Sequence, residues 1–459
     1  MKSLLLIPDG VSLRNFVLGD TAERLAREGE VVVWAAPPLP APVVGPDAPW
    51  SAWGPLPPFY DRPLEAILRR TLEYAHLRWL NTAGARFNLA QPIPGGARQR
   101  LLRRVARAGS RAFPGERGVA TLAAAHTGVA HRRSEVEAVA ARLAELRPDV
   151  VFCAHQRQLS VLPVVLAARA AGIPTATFIF SWDNLTTKAR VVAPFDHYLV
   201  WSELMATELR RFYPDVTADR VHVVGSPQFD PYAVAGLTAS RAELCAELGL
   251  DPTRPIICFT GGDAGTCPDD PFHLGQLLTA VSSGAVAGSP QVVLRRAPVD
   301  PGDRYAPIRR SHPELVEAEP RWRHEPGAGW SDAYPTMEDV RVLTSLTAVA
   351  DVNVNMASTM SIDFALRDTP VVNLGWDHDP EAGRADAYYT FEHYRPVVEL
   401  GAVRVARDVN ELAAQLSAYL GDPSLDSTGR QALCDLELGA EVGASSAAVV
   451  DALTSVSRR

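Results

Sequence analysis

Residues 350–377 read ADVNVNMASTMSIDFALRDTPVVNLGWD, and this stretch decides the fold. It contains two short apolar runs, 352–354 and 371–374, that are typical of buried strands in a parallel sheet. The residues between them predict a helix over 359–367, preceded by two hydroxyl residues of the kind favoured at a helix N-cap. Strand, turn, helix and strand in this order form a βαβ unit.

The turn before this predicted helix could bind an anion, because a helix N-terminus carries free backbone N–H groups. Ser358, Thr359 and Met360 would surround the anion, and Asp363 would lie on nearly the same helix face, one turn deeper. Hydroxyls above a carboxylate suit a phosphate followed by a ribose, whose hydroxyls need an acceptor. The alternative is an ordinary capped helix with Asp363 facing solvent, and the spacing alone does not choose between the two.

The same alternation of strands and helices extends to both sides of this unit. It predicts an α/β protein with two doubly wound, Rossmann-like domains, 1–235 and 236–430, and a C-terminal helix, 431–459, that could pack back on the first domain. Residues 64–146 are predicted to form a helical insertion in the first domain. The other predicted strands are 4–7, 31–34, 150–152, 176–180, 197–201, 221–224, 256–259 and 291–295.

Four further segments complete this prediction. Residues 15–27 are expected to form one helix, and residues 431–453 are expected to be helical. Residues 37–63, rich in proline and aromatic side chains, and residues 377–396 are predicted loops.

The composition is that of an ordinary globular protein and argues against several classes. Of the 459 residues, 47% are hydrophobic and 21% charged, and a net charge of −8 does not suit a protein that coats nucleic acid. The five cysteines show no CxxC spacing, so neither a disulfide framework nor a zinc site is predicted. The first apolar run is too short for a signal-peptide core, and no run reaches membrane-spanning length. The sequence therefore predicts a cytoplasmic protein.

Polar and glycine-rich stretches follow the strands in both predicted domains. Ligands of doubly wound sheets bind at the carboxyl ends of the strands, so a cleft between the domains is the expected site. Gly261 and Gly262 could let the backbone approach a phosphate closely. Arg295 or Arg296 could add positive charge, and the other would be a plain surface charge; Arg296 is the candidate donor-binding residue of the two.

Two passages resemble the GT-B superfamily of nucleotide-sugar glycosyltransferases. The nearest likeness is to the CDP-glycerol glycerophosphotransferases and related surface-polysaccharide transferases, and the non-hydrolysing UDP-GlcNAc 2-epimerases are more distant. Ser358-Thr359-x-x-x-Asp363 is similar to the Ser-Ser-x-x-x-Asp motif that holds the nucleotide part of the donor in those transferases. Residues 256–262 are similar to the strand and phosphate-facing loop of their donor domain.

A third passage, Trp182-Asp183-x-x-x-x-Lys188, resembles the Trp-His-Gly-Thr-Pro-Leu-Lys segment of the same transferases. Their histidine is a candidate general base, and its place is taken here by Asp183, which is therefore the first candidate base. Asp9 and His155, each following another strand, are the second and third. Asp183 could instead cap a turn, and His155 could simply be hydrogen-bonded. Lys188 could pair with Asp183 or reach a phosphate.

The resemblance implies a glycosyltransferase that moves a sugar, or a sugar-like unit, from a nucleotide-activated donor to a hydroxyl acceptor. Surface-glycan or secondary-metabolite biosynthesis is the expected setting. It also implies inversion at the anomeric centre and no cofactor or metal, because GT-B folds stabilise the leaving phosphate with a helix N-terminus and basic side chains. A nucleotide-sugar 2-epimerase and a non-catalytic nucleotide-sugar-binding protein are the alternatives.

The loop after residue 376 contributes two more candidates. Asp377 begins an Asp-His-Asp sequence that looks like a DxD metal motif, although contact with the donor is the favoured role. His393 could touch the donor or the acceptor, or it could pack at the domain interface.

The helical insertion also contains a basic segment, which could be a solvated helix face or could contact the inner surface of an anionic membrane or an anionic acceptor. The predicted partners are the nucleotide-activated sugar and a hydroxyl acceptor (a glycan, a lipid-linked glycan or a small molecule), and no nucleic acid. The basic residues are Arg98, Arg100, Arg103, Arg104, Arg107, Arg111 and Arg117.

Overall fold

The structure, a computed structural model, describes residues 1–36, 48–323 and 333–458. The chain divides into two compact units, of which the first comprises Met1–Gln228 with Leu438–Arg459 and the second comprises Phe229–Glu437. Each unit contains one parallel sheet with helices connecting its strands. The predicted α/β class with two doubly wound domains is confirmed.

The first unit is built on seven parallel strands. They are β1 (Lys2–Ile7), β2 (Glu30–Ala35), β3 (Ala52–Pro55), β4 (Val150–Cys153), β5 (Thr175–Phe178), β6 (His197–Val200) and β7 (Val221–Val223). Their order in the sheet is β3-β2-β1-β4-β5-β6-β7. Residues 4–7 of β1 and all of β4 are continuous apolar runs, as expected for a parallel sheet covered on both faces, and the residues of β4 are all fully buried.

Ten helices belong to the first part of this unit. They are α1 (Gly10–Leu13), α2 (Thr21–Glu28), α3 (Pro63–Leu80), α4 (Ala83–Ala90), α5 (Ala97–Gly109), α6 (Gly115–His131), α7 (Ser134–Leu146), α8 (Leu162–Ala170), α9 (Asn184–Thr187) and α10 (Glu203–Phe212). Helices α3 to α7 form the predicted insertion, and α3 packs on α6 through Leu72, Ala75, Val119 and Leu122. No helix of the described ranges is both long and apolar enough to cross a membrane.

The second unit contains eight strands: β8 (Ile256–Thr260), β9 (Gln291–Arg295), β10 (Val316–Glu317), β11 (Trp322–Arg323), β12 (Tyr334–Pro335), β13 (Val352–Asn355), β14 (Val371–Leu374) and β15 (Arg404–Ala406). Six of them form a parallel sheet in the order β10-β9-β8-β13-β14-β15, and β11 and β12 form a separate antiparallel pair. The βαβ unit around β13 thus lies in the middle of this sheet.

Nine helices accompany these strands, and a last helix, α20 (Ser445–Ser457), follows them. The nine are α11 (Arg241–Leu248), α12 (Asp270–Ser282), α13 (Ala306–Ser311), α14 (Met337–Val349), α15 (Met360–Ala365), α16 (Arg384–Tyr388), α17 (Arg395–Glu399), α18 (Val409–Gly421) and α19 (Ser427–Glu437).

Four segments differ from the prediction. Residues 15–27 form a π turn, Arg14–Leu18, and then α2, because Gly19 ends the first element. The predicted loop 37–63 contains β3, and its residues 37–47 lie outside the described residues. The predicted loop 377–396 contains α16 and the start of α17. The predicted helical stretch 431–453 is interrupted between α19 and α20, where Gly443 has a positive φ of 93°.

The chain returns to the first unit at this interruption. The backbone N–H of Gly439 donates to the Trp201 carbonyl oxygen at 2.8 Å, and Thr21 Oγ1 donates to Ser446 Oγ at 2.9 Å. A Cβ on Gly439 would lie 2.2 Å from that carbonyl oxygen, so only glycine permits this approach. Helix α20 therefore packs within the first unit.

Glu437, the last residue of α19, is only 1% exposed, and its Oε1 has no hydrogen-bond partner among the described residues. Burial raises the pKa of Glu437 from 4.5 to about 8. A carboxyl group with a raised folded-state pKa stabilises the fold fully below pH 4.5, and that stabilisation is lost as the pH rises toward 8.

We expect Glu437→Gln to raise the free energy of unfolding by roughly 2–4 kcal/mol near neutral pH, and to change it little under acid conditions. Thermal unfolding over this pH range measures the effect. Glu441→Gln, an exposed neighbour, is the control, and equal stability of Glu437→Gln and the parent at neutral pH would contradict the prediction.

Candidate functional site

Two candidate residues of the first unit form a buried pair. Asp9 follows β1 and His155 follows β4, and the two strands are neighbours in the sheet, so their side chains meet at its carboxyl edge. His155 Nδ1 lies 2.6 Å from Asp9 Oδ2, and both residues are less than 10% exposed. Asp9 also accepts a hydrogen bond from the Ser12 backbone N–H at 2.8 Å. Burial alone would raise the pKa of Asp9, but the charge and hydrogen bond of His155 and the bonds from Ser12 outweigh it and hold that pKa below its ordinary value.

The other ring nitrogen of His155, Nε2, is buried and has no hydrogen-bond partner among the described residues. Because a carboxylate can only accept, Nδ1 carries the proton toward Asp9, and Nε2 has an unshared lone pair when the imidazole is neutral. Phe180 stacks on the ring, with centroids 3.9 Å apart and an interplanar angle of 9°. Two polar atoms in the segment that follows Asp9, Ser12 Oγ and Asn15 Nδ2, are also buried and have no hydrogen-bond partner among the described residues. This arrangement can take a proton from a ligand hydroxyl.

Asp183, the first candidate base from the sequence, is fully engaged. Its carboxylate pairs with Lys188 at 3.2 Å, and accepts hydrogen bonds from Asn184 Nδ2 at 2.8 Å and Thr187 Oγ1 at 3.2 Å. The side chain therefore bonds other side chains of the short helix α9 and makes no capping bond to a backbone N–H, while Lys188 lies beside Asp183.

The second unit carries a chain of buried asparagines at the carboxyl ends of its central strands. Asn355 Nδ2 donates to Asn353 Oδ1 at 2.7 Å, and Asn373 Nδ2 donates to Asn355 Oδ1 at 3.0 Å. Tyr394 OH donates to Asn373 Oδ1 at 2.7 Å and also bonds Ser361 Oγ at 2.7 Å. All five side chains are fully buried, so the network rigidly connects β13, β14 and α15.

This network holds the turn that the sequence singled out. The Ser358 backbone N–H donates to Asn355 Oδ1 at 3.0 Å, and Ala357 takes a left-handed φ of 45° to make the turn. Ser358 Oγ accepts from the Met360 backbone N–H at 3.3 Å. Ser358 and Thr359 are half-exposed, so their hydroxyls remain within reach of a ligand.

Asp363 lies below this turn, as the helical spacing predicts, but it does not face solvent. It is 7% exposed, and its Oδ1 accepts a hydrogen bond from Tyr232 OH at 2.6 Å. Arg367 packs over the Tyr232 ring at 5.5 Å and donates to the Tyr232 carbonyl at 2.9 Å. Tyr232 and Arg367 were not singled out from the sequence, because nothing in their local pattern links residues so far apart in the chain.

The two glycines after β8 are explained by close packing. The Gly261 N–H bonds the Arg295 carbonyl at 2.9 Å, and the Gly262 N–H bonds Asp270 Oδ2 at 2.7 Å. A Cβ on Gly261 would lie 2.5 Å from Tyr305 OH. Burial, opposed mainly by the Arg304 charge, raises the pKa of the Asp270 carboxyl to about 7. Both glycine amides are thus already used within the unit.

Arg295, the last residue of β9, and Arg296, which follows it, both have acidic partners. Neither is a plain surface charge, which corrects the sequence-based expectation. Arg295 is 5% exposed, and its Nη2 donates to both carboxylate oxygens of Asp339, at 2.7 and 2.9 Å. Arg296 binds Glu317 Oε1 at 2.6 Å and the Asp300 carbonyl. The tertiary structure explains the difference, because an acidic side chain distant in the sequence lies opposite each guanidinium.

The remaining candidates of the second unit have structural partners. Asp377 accepts hydrogen bonds from the backbone N–H groups of Arg384 at 2.7 Å and Ala385 at 3.1 Å, and so caps α16. His393 is half-buried beside the Phe391 and Tyr394 rings. Across the described residues, no group of three or more His, Cys, Asp or Glu side chains could hold a metal ion.

Sequence reasoning missed Asn355, Asn373 and Tyr394. One signal was present, since Asn353 and Asn355 alternate with valines in a strand, which places two amides on the same face of a buried sheet. Buried amides of this kind need partners. Nothing local predicts Tyr394 as one of them.

Replacing Asn355 by alanine should loosen the Ser358 turn. The variant leaves the Ser358 N–H and the Asn373 amide without their acceptor, and each buried orphan costs about 1–3 kcal/mol. We expect a lower free energy of unfolding in chemical denaturation. Asn410→Ala, an exposed asparagine of the same unit, is the control. Equal stability of Asn355→Ala and the parent would contradict the prediction.

No protein-family model matches the chain, and neither does any curated protein sequence. Solved structures match it over nearly its whole length. A putative UDP-N-acetylglucosamine 2-epimerase from Listeria monocytogenes is similar at 9% identity and a TM-score of 0.55, covering 99% of this chain and 96% of that one. The UDP-GlcNAc 2-epimerase from Neisseria meningitidis bound to UDP-GlcNAc is similar at 10% identity and a TM-score of 0.51, and the match covers 99% of this chain and 100% of that one. A glycosyltransferase from Rickettsia africae is similar at 8% identity and a TM-score of 0.51, and the match covers 99% of this chain and 98% of that one. At these identities the likeness shows the fold alone, which is GT-B, as the resemblance implied.

Proposed function

We propose that this chain is a glycosyltransferase that moves a sugar or sugar-like unit from a nucleotide-activated donor to a hydroxyl acceptor. One observation carries the proposal: Asp9 bonds Nδ1 of the buried His155, and His155 Nε2 has no hydrogen-bond partner among the described residues. Transfer to a hydroxyl needs a positioned general base, and a histidine oriented by a carboxylate serves well near neutral pH.

In this mechanism His155 Nε2 accepts the proton of the acceptor hydroxyl while the acceptor oxygen attacks the anomeric carbon. The bond from that carbon to the phosphate oxygen breaks, and the nucleotide leaves with the electron pair. Asp9 fixes the tautomer of His155 and stabilises the imidazolium that forms. A single displacement of this kind inverts the anomeric centre. His155 thus replaces Asp183 as the proposed base.

The second unit is the proposed donor-binding unit. Ser358 and Thr359 are half-exposed on a turn fixed by buried asparagines, and Asp363 lies one helical turn below. Three of the similar structures are bound to UDP-GlcNAc, to UDP or to both, which supports a nucleotide-sugar donor. We propose that donor binding needs no metal, because the Asp377 carboxylate already caps a helix.

Incubation with CDP-, UDP-, dTDP-, GDP- and CMP-linked sugars, with and without a panel of hydroxyl acceptors, tests the proposal. Acceptor-dependent release of nucleotide is the expected result. If no donor binds or turns over at millimolar concentration, the proposal fails. Crystals soaked with nucleoside diphosphates would identify the base by what orders near Ser358.

A nucleotide-sugar 2-epimerase is the second candidate, favoured because several of the similar structures are UDP-GlcNAc 2-epimerases. That reaction needs no acceptor. Solvent deuterium appearing at C2 of the sugar nucleotide without any acceptor would support it, and acceptor-dependent nucleotide release without deuterium exchange would exclude it.

Contact with an anionic membrane is proposed for α5. Leu101 and Val105, one helical turn apart, are 61% and 52% exposed, and Arg98 and Arg104 flank them on the same face. An exposed apolar stripe between arginines suits an anionic lipid surface. We expect the parent to cosediment with vesicles containing phosphatidylglycerol. Each arginine near such a surface contributes about 1 kcal/mol, so the double variant Arg98→Ala with Arg104→Ala should bind about thirtyfold more weakly.

Val234→Ser removes an exposed apolar residue from the second unit and is the control for this experiment. Equal sedimentation of the double variant and the parent, or binding to neutral phosphatidylcholine vesicles as strong as to anionic ones, would indicate that α5 is a solvated face.

A further inference from the structure

Arg157 is an arginine without an acid partner at the carboxyl edge of the first sheet. It lies two residues after His155 in the segment that follows β4, and it is half-buried. Its Nε is buried with no hydrogen-bond partner, and no carboxylate among the described residues pairs with its guanidinium. A half-buried arginine is normally paired, because burial removes the hydration of its charge. The unused guanidinium therefore marks a place where a ligand could supply the anion.

The two carboxylates whose charges act on Arg157 are already paired with other cations. They are Asp183 and Glu73. Asp183 is paired with Lys188 at 3.2 Å, while Glu73 is paired with Arg69 and with Arg70 at 2.7 Å. Positive charge therefore remains in excess around Arg157.

A second arginine, which forms no ion pair with any described acidic residue, adds to this excess. Arg190 packs over the ring of Tyr213, 4.6 Å from its centroid, and the charges of Arg157 and Arg190 both act on that phenol. His76 from α3 also packs against Tyr213, with centroids 5.7 Å apart. Burial, and then the Arg190 charge, lower the pKa of His76 well below its ordinary value, so this histidine adds no positive charge near neutral pH.

The helical insertion forms part of this region. Thr82 Oγ1 donates to the Thr186 carbonyl at 2.5 Å, and Asn88 Nδ2 donates to the Thr187 carbonyl at 2.7 Å. These bonds attach α4 to α9, the segment that leads to Arg190. The insertion thus contacts the segment before Arg190 and, through His76, the Tyr213 ring that Arg190 covers.

We propose that Arg157 binds an oxyanion, a phosphate or a carboxylate, carried by the acceptor, with Arg190 adding positive potential. The planar guanidinium can hold either group through two parallel hydrogen bonds. Arg157 and His155 leave the same strand two residues apart, so an anion held by Arg157 would orient a hydroxyl of the same molecule toward Nε2. The assignment of the anion to the acceptor rests on the proposed function. The binding of an anion by Arg157 does not depend on it.

Isothermal titration with inorganic phosphate and, separately, with acetate tests the inference. We expect the parent to bind at least one of them, and Arg157→Met to bind it at least about tenfold more weakly, because hydrogen bonds to charged groups are the strong ones. Arg157→Lys keeps the positive charge and should lose less anion affinity than Arg157→Met. Arg190→Met should also lose less affinity than Arg157→Met. Preference for phosphate indicates a phosphorylated acceptor, and preference for acetate indicates a carboxylated one.

Arg142→Met is the matched control, because Arg142 also belongs to the first unit and packs over an aromatic ring, that of Trp34, at 3.8 Å. Circular dichroism confirms that each variant is folded. The inference is overturned if the parent binds neither anion, if folded Arg157→Met and Arg157→Lys both bind like the parent, or if Arg142→Met loses as much. If anion binding depends on Arg157 but no nucleotide-sugar donor is turned over, the subsite stands and the transferase proposal fails.

Discussion

Replacing His155 by glutamine is expected to lower kcat for sugar transfer by about 10²–10⁴-fold, the usual contribution of a general base. Glutamine keeps a hydrogen-bonding side chain next to Asp9 but cannot take the acceptor proton. Nucleoside diphosphate affinity should stay within about twofold, because the proposed donor residues belong to the other unit. Steady-state kinetics with the donor identified in the panel measures the first effect, and isothermal titration measures the second.

Asp9→Asn tests the orienting role of the carboxylate. The amide can donate to Nδ1 and so favours the tautomer with its proton on Nε2, which cannot act as a base; in aspartate–histidine pairs this change lowers kcat by up to about 10⁴-fold. The matched control is Asp183→Asn, which should retain most of its activity because Asp183 stabilises α9. A large loss in Asp183→Asn with near-normal activity in His155→Gln would restore Asp183 as the base.

Replacing Asp339 by alanine is expected to destabilise the second unit by about 3–5 kcal/mol, the usual cost of removing one partner of a buried ion pair. The variant leaves Arg295 charged and buried, and it also removes the acceptor of Trp322 Nε1, which lies 2.7 Å from Asp339 Oδ2. Calorimetry suits the measurement, because two units can unfold in separate transitions.

Asp386→Ala is the control for this experiment. Asp386 forms an exposed ion pair with Arg407, in which the side chains are 80% and 54% exposed, and such pairs contribute about 0–1 kcal/mol. A loss in Asp339→Ala no larger than in Asp386→Ala would show that the Arg295 side chain finds solvent and is not held in the core.

Local pattern was sufficient for most of the fold. The apolar runs that predicted strands correspond to β1, β2, β4 to β9, β13 and β14, since strands buried on both faces are rich in apolar residues. The short edge strands β3, β10 and β15 were missed, as were the two-residue strands β11 and β12. An edge strand has one neighbour and little burial, so its sequence carries a weak signal, and β3 lies in a proline-rich segment.

The candidate sites were predicted less completely. Residues at strand ends could be named one by one, because ligand-binding residues of doubly wound sheets follow the strands. Their ranking could not be predicted. Asp183 was placed ahead of His155 on the likeness of one segment, while the contact between Asp9 and His155 joins residues 146 positions apart.

The sequence by itself determined the two α/β series, the helical insertion within the first of them and the polar turn at Ser358, because each depends on hydrophobic periodicity and capping within a short window. Only the tertiary structure decided which polar groups have partners. Arg295, Arg296 and Asp377 are occupied by partners, whereas His155 Nε2 and Arg157 Nε are buried and have no hydrogen-bond partner among the described residues. Pairing depends on which strands become neighbours in a sheet, and that is a property of the whole fold and not of any local stretch of residues.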